Sequence, residues 1–265
     1  MTGRKAKKGI RGIYVDFDGC LSSAVPGDAL DIDLVHLIRE INQKARAGGR
    51  APFVAINSGR PESFIEAHAQ AFDIKEFCVF ENGAGIFRFP ANAIEMYIDP
   101  RIPASIHEDF LAMAHVIRKR FGLERQPNKD YNLTYLFPEH DPRIADVAGF
   151  INDYINERRL PYYIDSGINF INVITAGTDK GTGMRLAAKK GGFDLSSMAG
   201  IGDSDSDLAF MDLYGVTACP SNGSPGLKVK VDYVSPFAYA KGSIDIITRL
   251  LDGSIERHGQ STRLS

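Results

Sequence analysis

An apolar run, Ile13-Tyr14-Val15, stops at Asp16-Phe17-Asp18-Gly19. Residues 10–16 read as a buried strand, and its side-chain period of two starts Asp16 and Asp18 off on one face. Two carboxylates that close repel each other, so stability alone does not keep them together. A cation, a shared proton or a reacting group relieves the repulsion. Gly19 then lets the backbone turn sharply or approach a ligand closely. The plainer reading is a solvated strand end carrying two aspartates.

The segments that follow repeat one rhythm. Leu34, Leu37, Ile38, Ile41 and Ala45 recur at helical spacing until Gly48-Gly49. Pro52 to Ile56 is a strand ending in Asn57-Ser58-Gly59-Arg60. A helix beginning at Pro61-Glu62 carries Phe64, Ile65, His68 and Phe72, and a third strand, Phe77 to Phe80, closes on Glu81-Asn82-Gly83. Strand, helix, strand, helix, strand predicts a parallel sheet of the α/β class. Such sheets bind ligands beyond the carboxyl ends of their strands, where Asp16, Ser58 and Glu81-Asn82 fall.

The pattern changes after Gly85. Residues 86–89 and 94–98 read as paired strands, and Ser105 with Glu108 reads as a capping box before Ile106, Phe110, Met113 and Ile117. Tyr131 to Phe137 is a strand, Asp141-Pro142 opens a helix, and 162–165 with 169–173 form a hairpin around Ser166-Gly167. Asp165 and Asn169 shape that turn. This predicts an antiparallel α+β module over 85–173, roughly 90 residues and compatible with an independent unit. It is inserted into an α/β domain made of 10–84 and 174–265. The α/β rhythm resumes with a helix from Thr178-Asp179-Lys180-Gly181 to Gly191-Gly192, a strand at 198–201, the segment Gly202-Asp203-Ser204-Asp205-Ser206-Asp207, and a helix through Leu213. Short strands at 215–218 and 232–234 and a helix over 244–251 complete it.

Composition narrows the function. The 265 residues are 44% hydrophobic and 24% charged with a net charge of −2, so no bulk basic field attracts nucleic acid or an anionic membrane. No apolar run approaches the ~20 residues that span a bilayer. Residues 1–9 form a basic tail without the apolar stretch of a secretory signal. Cys20, Cys78 and Cys219 lack metal or redox spacing and read as buried thiols of a reduced, cytoplasmic protein. The sequence carries no signal of oligomeric state.

Taken in order, Asp16-Phe17-Asp18-Gly19-Cys20-Leu21, Asn57-Ser58-Gly59-Arg60, Asp179-Lys180-Gly181 and the Gly202–Asp207 segment resemble the four motifs of the haloacid dehalogenase superfamily of phosphatases. Glu81-Asn82-Gly83-Ala84, and an insertion between the second and third motifs, resemble its subclass with a type 2B cap. That subclass includes Cof-type, sucrose-phosphate, mannosylphosphoglycerate and archaeal phosphoglycolate phosphatases. Two residues depart from the pattern: Cys20 stands where Thr is usual, and Ser206 where Asn is common.

The resemblance implies a Rossmann-like core and a Mg²⁺-dependent phosphomonoester hydrolase acting on a small phosphorylated metabolite, a sugar phosphate or a short-acid phosphate. It makes Asp16 the nucleophile that forms an aspartyl-phosphate and Asp18 the acid and base for the leaving oxygen and the water. Ser58, Gly59 and Lys180 hold the phosphate. Asp16, Asp203 and the backbone carbonyl of Asp18 hold Mg²⁺, a cation that prefers hard oxygens. Asp207, Ser206 and Asn82 stand one layer behind. Two alternatives use the same core: a phosphomutase, and a phosphate-binding module without catalysis. Arg60 reads equally well as a phosphate contact or a surface salt bridge. Arg125, Lys129, Tyr131 and Arg158 read as solvated surface.

Overall fold

The computed structural model describes residues 9–255 except 24, 26, 49, 50 and 92. The expected basic tail, Gly9 apart, and the Gly49 helix stop lie outside the described residues. In chain order the first segment forms β1 (Gly12–Val15), α1 (Ile32–Arg46), β2 (Phe53–Ile56), α2 (Glu62–Ala71), β3 (Cys78–Phe80), β4 (Gly85–Arg88) and β5 (Glu95–Ile98). The middle segment forms α3 (Ile106–Phe121), β6 (Leu133–Leu136), α4 (Arg143–Arg158), β7 (Tyr162–Ser166) and β8 (Phe170–Thr175). The last forms α5 (Lys180–Gly191), β9 (Met198–Ile201), α6 (Leu208–Met211), β10 (Val216–Cys219), α7 (Pro225–Lys228), β11 (Tyr233–Val234) and α8 (Tyr239–Asp252).

Five parallel strands make one sheet in the order β11-β10-β9-β1-β2. Every residue of β1 is buried, because helices cover both faces of the sheet. The chain leaves β1 toward β2 on one side and later returns through β9 on the other, so the crevice beyond β1 is where the strand order reverses. α1 starts where the Asp31 carboxylate accepts the N–H groups of Asp33 and Leu34 at 2.9 and 3.3 Å. Its buried Leu34, Ile38 and Ile41 face the sheet. Asn42 on the same face is also buried. Its amide donates to the Phe72 carbonyl at 3.1 Å and accepts from the Val54 N–H at 2.8 Å, fixing α1 to β2 and to the end of α2.

β3 departs from the expected architecture. It belongs to an antiparallel sheet, β3-β4-β5, and meets the parallel sheet through one bridge between Asn57 and Val79. The cause is the turn after β3. Glu81, Asn82 and Gly83 all take left-handed backbone angles, φ 44°, 55° and 88°, and reverse the chain onto β4. The expected module boundary at residue 85 thus falls inside a sheet whose Ile86 and Phe87 pack in the same hydrophobic cluster as β1.

A second cluster is built by α3 and α4 lying on the antiparallel sheet β6-β8-β7, with Ile106, Phe110, Met113, Val147, Ile151 and Ile171 buried. The capping box at Ser105 does not form. Ser105 is itself helical (φ −80°, ψ 0°), and its hydroxyl donates to Asp109 at 2.8 Å instead. The hairpin at Ser166-Gly167 closes as expected, with Gly167 N–H donating to the Phe170 carbonyl. α8 begins five residues before the expected 244, because its first turn lacks the apolar periodicity that marks the rest.

Two links hold the modules together. Arg101 binds Asp99 through two nitrogens and reaches the Gly177 carbonyl, so both crossing strands of chain are tied to each other. At the seam itself the buried Glu81 carboxylate accepts the backbone N–H groups of Asp130, Tyr131 and Asn132 at 3.1, 2.8 and 2.7 Å. Burial pushes the Glu81 carboxyl up to about 7, against the downward pull of those donors. An acid that binds its proton more tightly when folded favours folding below its ordinary value of 4.5 and loses that contribution as pH rises through about 7. Urea unfolding of wild type and Glu81→Gln at a series of pH values should therefore show wild type gaining on the variant as pH falls from 7.5 to 4.5. Parallel profiles would refute this.

Candidate active site

The site collects at the carboxyl ends of β1, β2 and β9 and at the start of α5. Asp16 follows β1 directly and is buried. Its Oδ1 accepts the Phe17 N–H at 2.6 Å and its Oδ2 lies 2.8 Å from Lys180 Nζ. Lys180 opens α5, a position where the helix dipole disfavours a cation. Two buried carboxylates hold it there, since its ammonium also donates to Asp207 Oδ1 at 2.6 Å. Burial alone would lower the Lys180 pKa, but Asp16 and Asp207 outweigh it and raise it. The second Asp207 oxygen accepts from Asp203 N–H, Ser204 N–H and the Ser204 hydroxyl at 2.9, 2.9 and 3.0 Å. Both Asp207 oxygens are thus engaged in holding Lys180 and the loop after β9.

Asp16, Asp203 and Asp207 bring carboxylate oxygens within 4.8 Å of one another. Burial, then the neighbouring Asp207, pushes Asp203 up to about 7. Burial also raises Asp16, with Asp207 and Asp203 adding to the effect and Lys180 opposing it. Three carboxylates against one ammonium leave surplus negative charge in a desolvated space. The oxygen donor set suits a hard divalent cation such as Mg²⁺, and with Asp207 committed, Asp16 and Asp203 are the side chains able to ligate it. Gly19 makes this packing possible: its φ is 82°, and a Cβ there would lie 2.0 Å from Asp203 Oδ2.

The Asp18 carboxylate points elsewhere. Arg60 grips it with two parallel bonds, Nε to Oδ2 at 2.7 Å and an Nη to Oδ1 at 2.6 Å. Of the two readings of Arg60, the structure has the salt bridge, made to a catalytic candidate rather than to surface. Ser58 is buried after β2; its backbone N–H donates to the Val79 carbonyl and its Oγ accepts from Arg60 N–H at 3.2 Å. Asn82 lies directly over Gly59, where a Cβ would meet its side-chain oxygen at 2.6 Å, and its Nδ2 is buried without a partner. Ser206 is exposed, and among the described residues its hydroxyl meets the site through that of Ser204, 2.8 Å away.

Several supports were not anticipated from the sequence. Asn57 Nδ2 donates to the Lys180 carbonyl at 3.2 Å, Asn222 Nδ2 to Gly19 at 2.9 Å, and Ser243 Oγ to Cys20 at 2.9 Å. Asn57 stood inside a motif already singled out; Asn222 and Ser243 lie over 200 residues from the loop they hold, and nothing local marks them. Of the four module residues read as solvated, Arg125 and Arg158 are exposed and Tyr131 is half-buried, but Lys129 is buried. Among the described residues no helix is long and apolar enough to cross a membrane.

The chain thus joins a parallel α/β sheet with acidic loops at its strand ends to a second α+β module. The profile of haloacid dehalogenase-like hydrolases matches residues 123–247. A phosphoglycolate phosphatase of Methanothrix thermoacetophila is 27% identical over 246 residues, 91% of this chain and 97% of that protein. A haloacid dehalogenase-like hydrolase from Bacteroides thetaiotaomicron superposes with a TM-score of 0.71 at 15% identity, covering 91% of this chain and 99% of that one. A subclass IIB sugar phosphatase of the superfamily superposes at 0.63 with 16% identity over 92% and 99%. Over residues 123–247, and over most of its length against these relatives, the chain is similar to haloacid dehalogenase-like hydrolases. Removing the ammonium tests the centre of the site. Lys180→Met leaves Asp16 and Asp207 buried without their cation and should cost about 3–5 kcal/mol in urea unfolding at neutral pH. A loss below about 1 kcal/mol, the range of exposed pairs, would refute the reading.

Proposed function

We propose that the protein is a Mg²⁺-dependent phosphatase that hydrolyses a small phosphomonoester through an aspartyl-phosphate. The observation that carries this is the Asp16 carboxylate, 2.8 Å from Lys180 and within the same oxygen cluster as Asp203. A phosphate dianion repels a carboxylate nucleophile, so the site must supply positive charge in fixed positions. Lys180 supplies one charge, and Mg²⁺ held by Asp16, Asp203 and the Asp18 carbonyl would neutralise the phosphate. The Ser58 hydroxyl, the Gly59 backbone and the Asn82 amide, which packs on Gly59 with its Nδ2 unpartnered, suit the remaining phosphate oxygens.

Asp16 attacks phosphorus, the ester P–O bond breaks, and the leaving oxygen takes a proton from Asp18. Water then attacks the aspartyl-phosphate, Asp18 takes its proton, and the Asp16–phosphorus bond breaks to release phosphate. Arg60 occupies both oxygens of Asp18, so Asp18 must leave that partner before it can serve the leaving oxygen. The α+β module over the strand ends fits a small substrate, excludes water and meets the leaving group. Phosphoglycolate is the first compound to try, given the names of the relatives. Three free, buried cysteines are compatible with a reducing, cytoplasmic setting.

Phosphate release from sugar phosphates, phosphoglycolate and p-nitrophenyl phosphate should require Mg²⁺ and stop with EDTA. Asp16→Asn should lower kcat by at least about a thousandfold. Phosphorus NMR of the products separates hydrolysis from phosphoryl return to a sugar; full activity in Asp16→Asn would remove the nucleophile from the scheme. Mg²⁺ should also raise the thermal midpoint of wild type and leave that of Asp203→Asn where it is.

A further inference from the structure

Lys129 is a buried cation that makes no salt bridge to a carboxylate among the described residues. It is 6% exposed, and among the described residues its side chain has one polar contact, a bond to Thr134 Oγ1 at 2.8 Å. Thr134 in turn donates to Asn172 at 2.7 Å, so it does not need the lysine to satisfy its hydroxyl. An ammonium offers three donors, and two of those on Lys129 are unused. Burying such a charge unpaired is costly, so a partner is expected to arrive.

The surroundings say which partner. Lys129 feels the charges of Arg60, Asp18 and Glu81, and burial draws its pKa down to about 8. It is held in place because the three residues after it give their N–H groups to Glu81. A cleft of about 450 Å³ is lined by Arg60 and Phe64 from one side and, from the other, by Gln126, Pro127 and Asn128, the three residues that precede Lys129. In the mechanism proposed above Asp18 serves the leaving oxygen, so the organic part of the ester would begin on the side where Arg60 lies. Arg60 already holds a carboxylate in fork geometry.

We propose that Lys129 and Arg60 together form the receptor for a carboxylate on the substrate, making this a phosphatase of phosphorylated short-chain acids and Lys129 its specificity-determining residue. The inference rests on the phosphatase reading above and narrows it. The substrate carboxylate supplies the direct ion pair that Lys129 lacks. It also competes with Asp18 for Arg60, which frees Asp18 to carry a proton to the leaving oxygen.

The test compares phosphoglycolate with ethyl phosphate, which is similar in length but lacks the carboxylate. Wild type should favour phosphoglycolate in kcat/KM, and Lys129→Met should reduce that preference by about ten- to a hundredfold, mostly through KM, as expected for one hydrogen bond to a charged group. Arg60→Lys keeps the charge and loses the fork, and should reduce the preference less. Equal losses for both substrates would make Lys129 a structural residue and overturn the proposal, as would a wild type that prefers a sugar bisphosphate or ethyl phosphate. Binding of the same two compounds to Asp16→Asn with Mg²⁺, by calorimetry, reads the discrimination without turnover. Discrimination there with no hydrolysis by wild type would sink the phosphatase reading alone; hydrolysis without discrimination would sink the carboxylate receptor alone.

Discussion

The ammonium of Lys180 is the interaction on which the site depends. It is buried between Asp16 after β1 and Asp207 after β9, so one charge joins two strand-end loops to the start of α5. Neither carboxylate could stay in that space without it, and Lys180 could not open a helix there without them. Asp207 extends the link through four accepted bonds, one to Lys180 and three to the loop that carries Asp203. The geometry that would present Asp16 to phosphorus is therefore a by-product of how the charges are neutralised in the fold.

Much of this could be read from residues in sequence. The Asp16, Ser58, Lys180 and Asp203–Asp207 segments each sit at the end of an apolar strand or the start of a helix, and local spacing suffices to place them. The structure does bring them together. The direction of Asp18 could not be read in the same way. The strand period puts Asp16 and Asp18 on one face, but the chain has left the strand at Val15, and Arg60, 42 residues on, turns the second carboxylate aside. β3 was misplaced because three buried apolar residues fit a parallel or an antiparallel sheet equally, and only the left-handed turn after them decides. A lone lysine in a polar stretch carries no mark of burial, and the burial of Lys129 comes with a seam whose Glu81 lies far off in sequence.

The seam also shows how a polar contact can organise two hydrophobic cores. The clusters around β1 and around β8 share no strand. Glu81 meets three consecutive N–H groups of the other module, a number of donors that suits a carboxylate better than any neutral side chain. The cost of burying it shows in its raised pKa.

The turn that carries Glu81 touches three things in three residues. Glu81 reaches the second module, Asn82 covers Gly59, and Gly83 lies so close to the Asp179 carbonyl, just before Lys180, that a Cβ would be 1.9 Å from it. Substitutions there can be repaired one at a time, but a change of length cannot, because one inserted residue would shift the register of all three contacts together. Surface loops of this protein can grow or shrink; this turn has a fixed residue count, and chains of the same architecture that keep the count should keep the alignment between the second module, the loop after β2 and the buried ammonium.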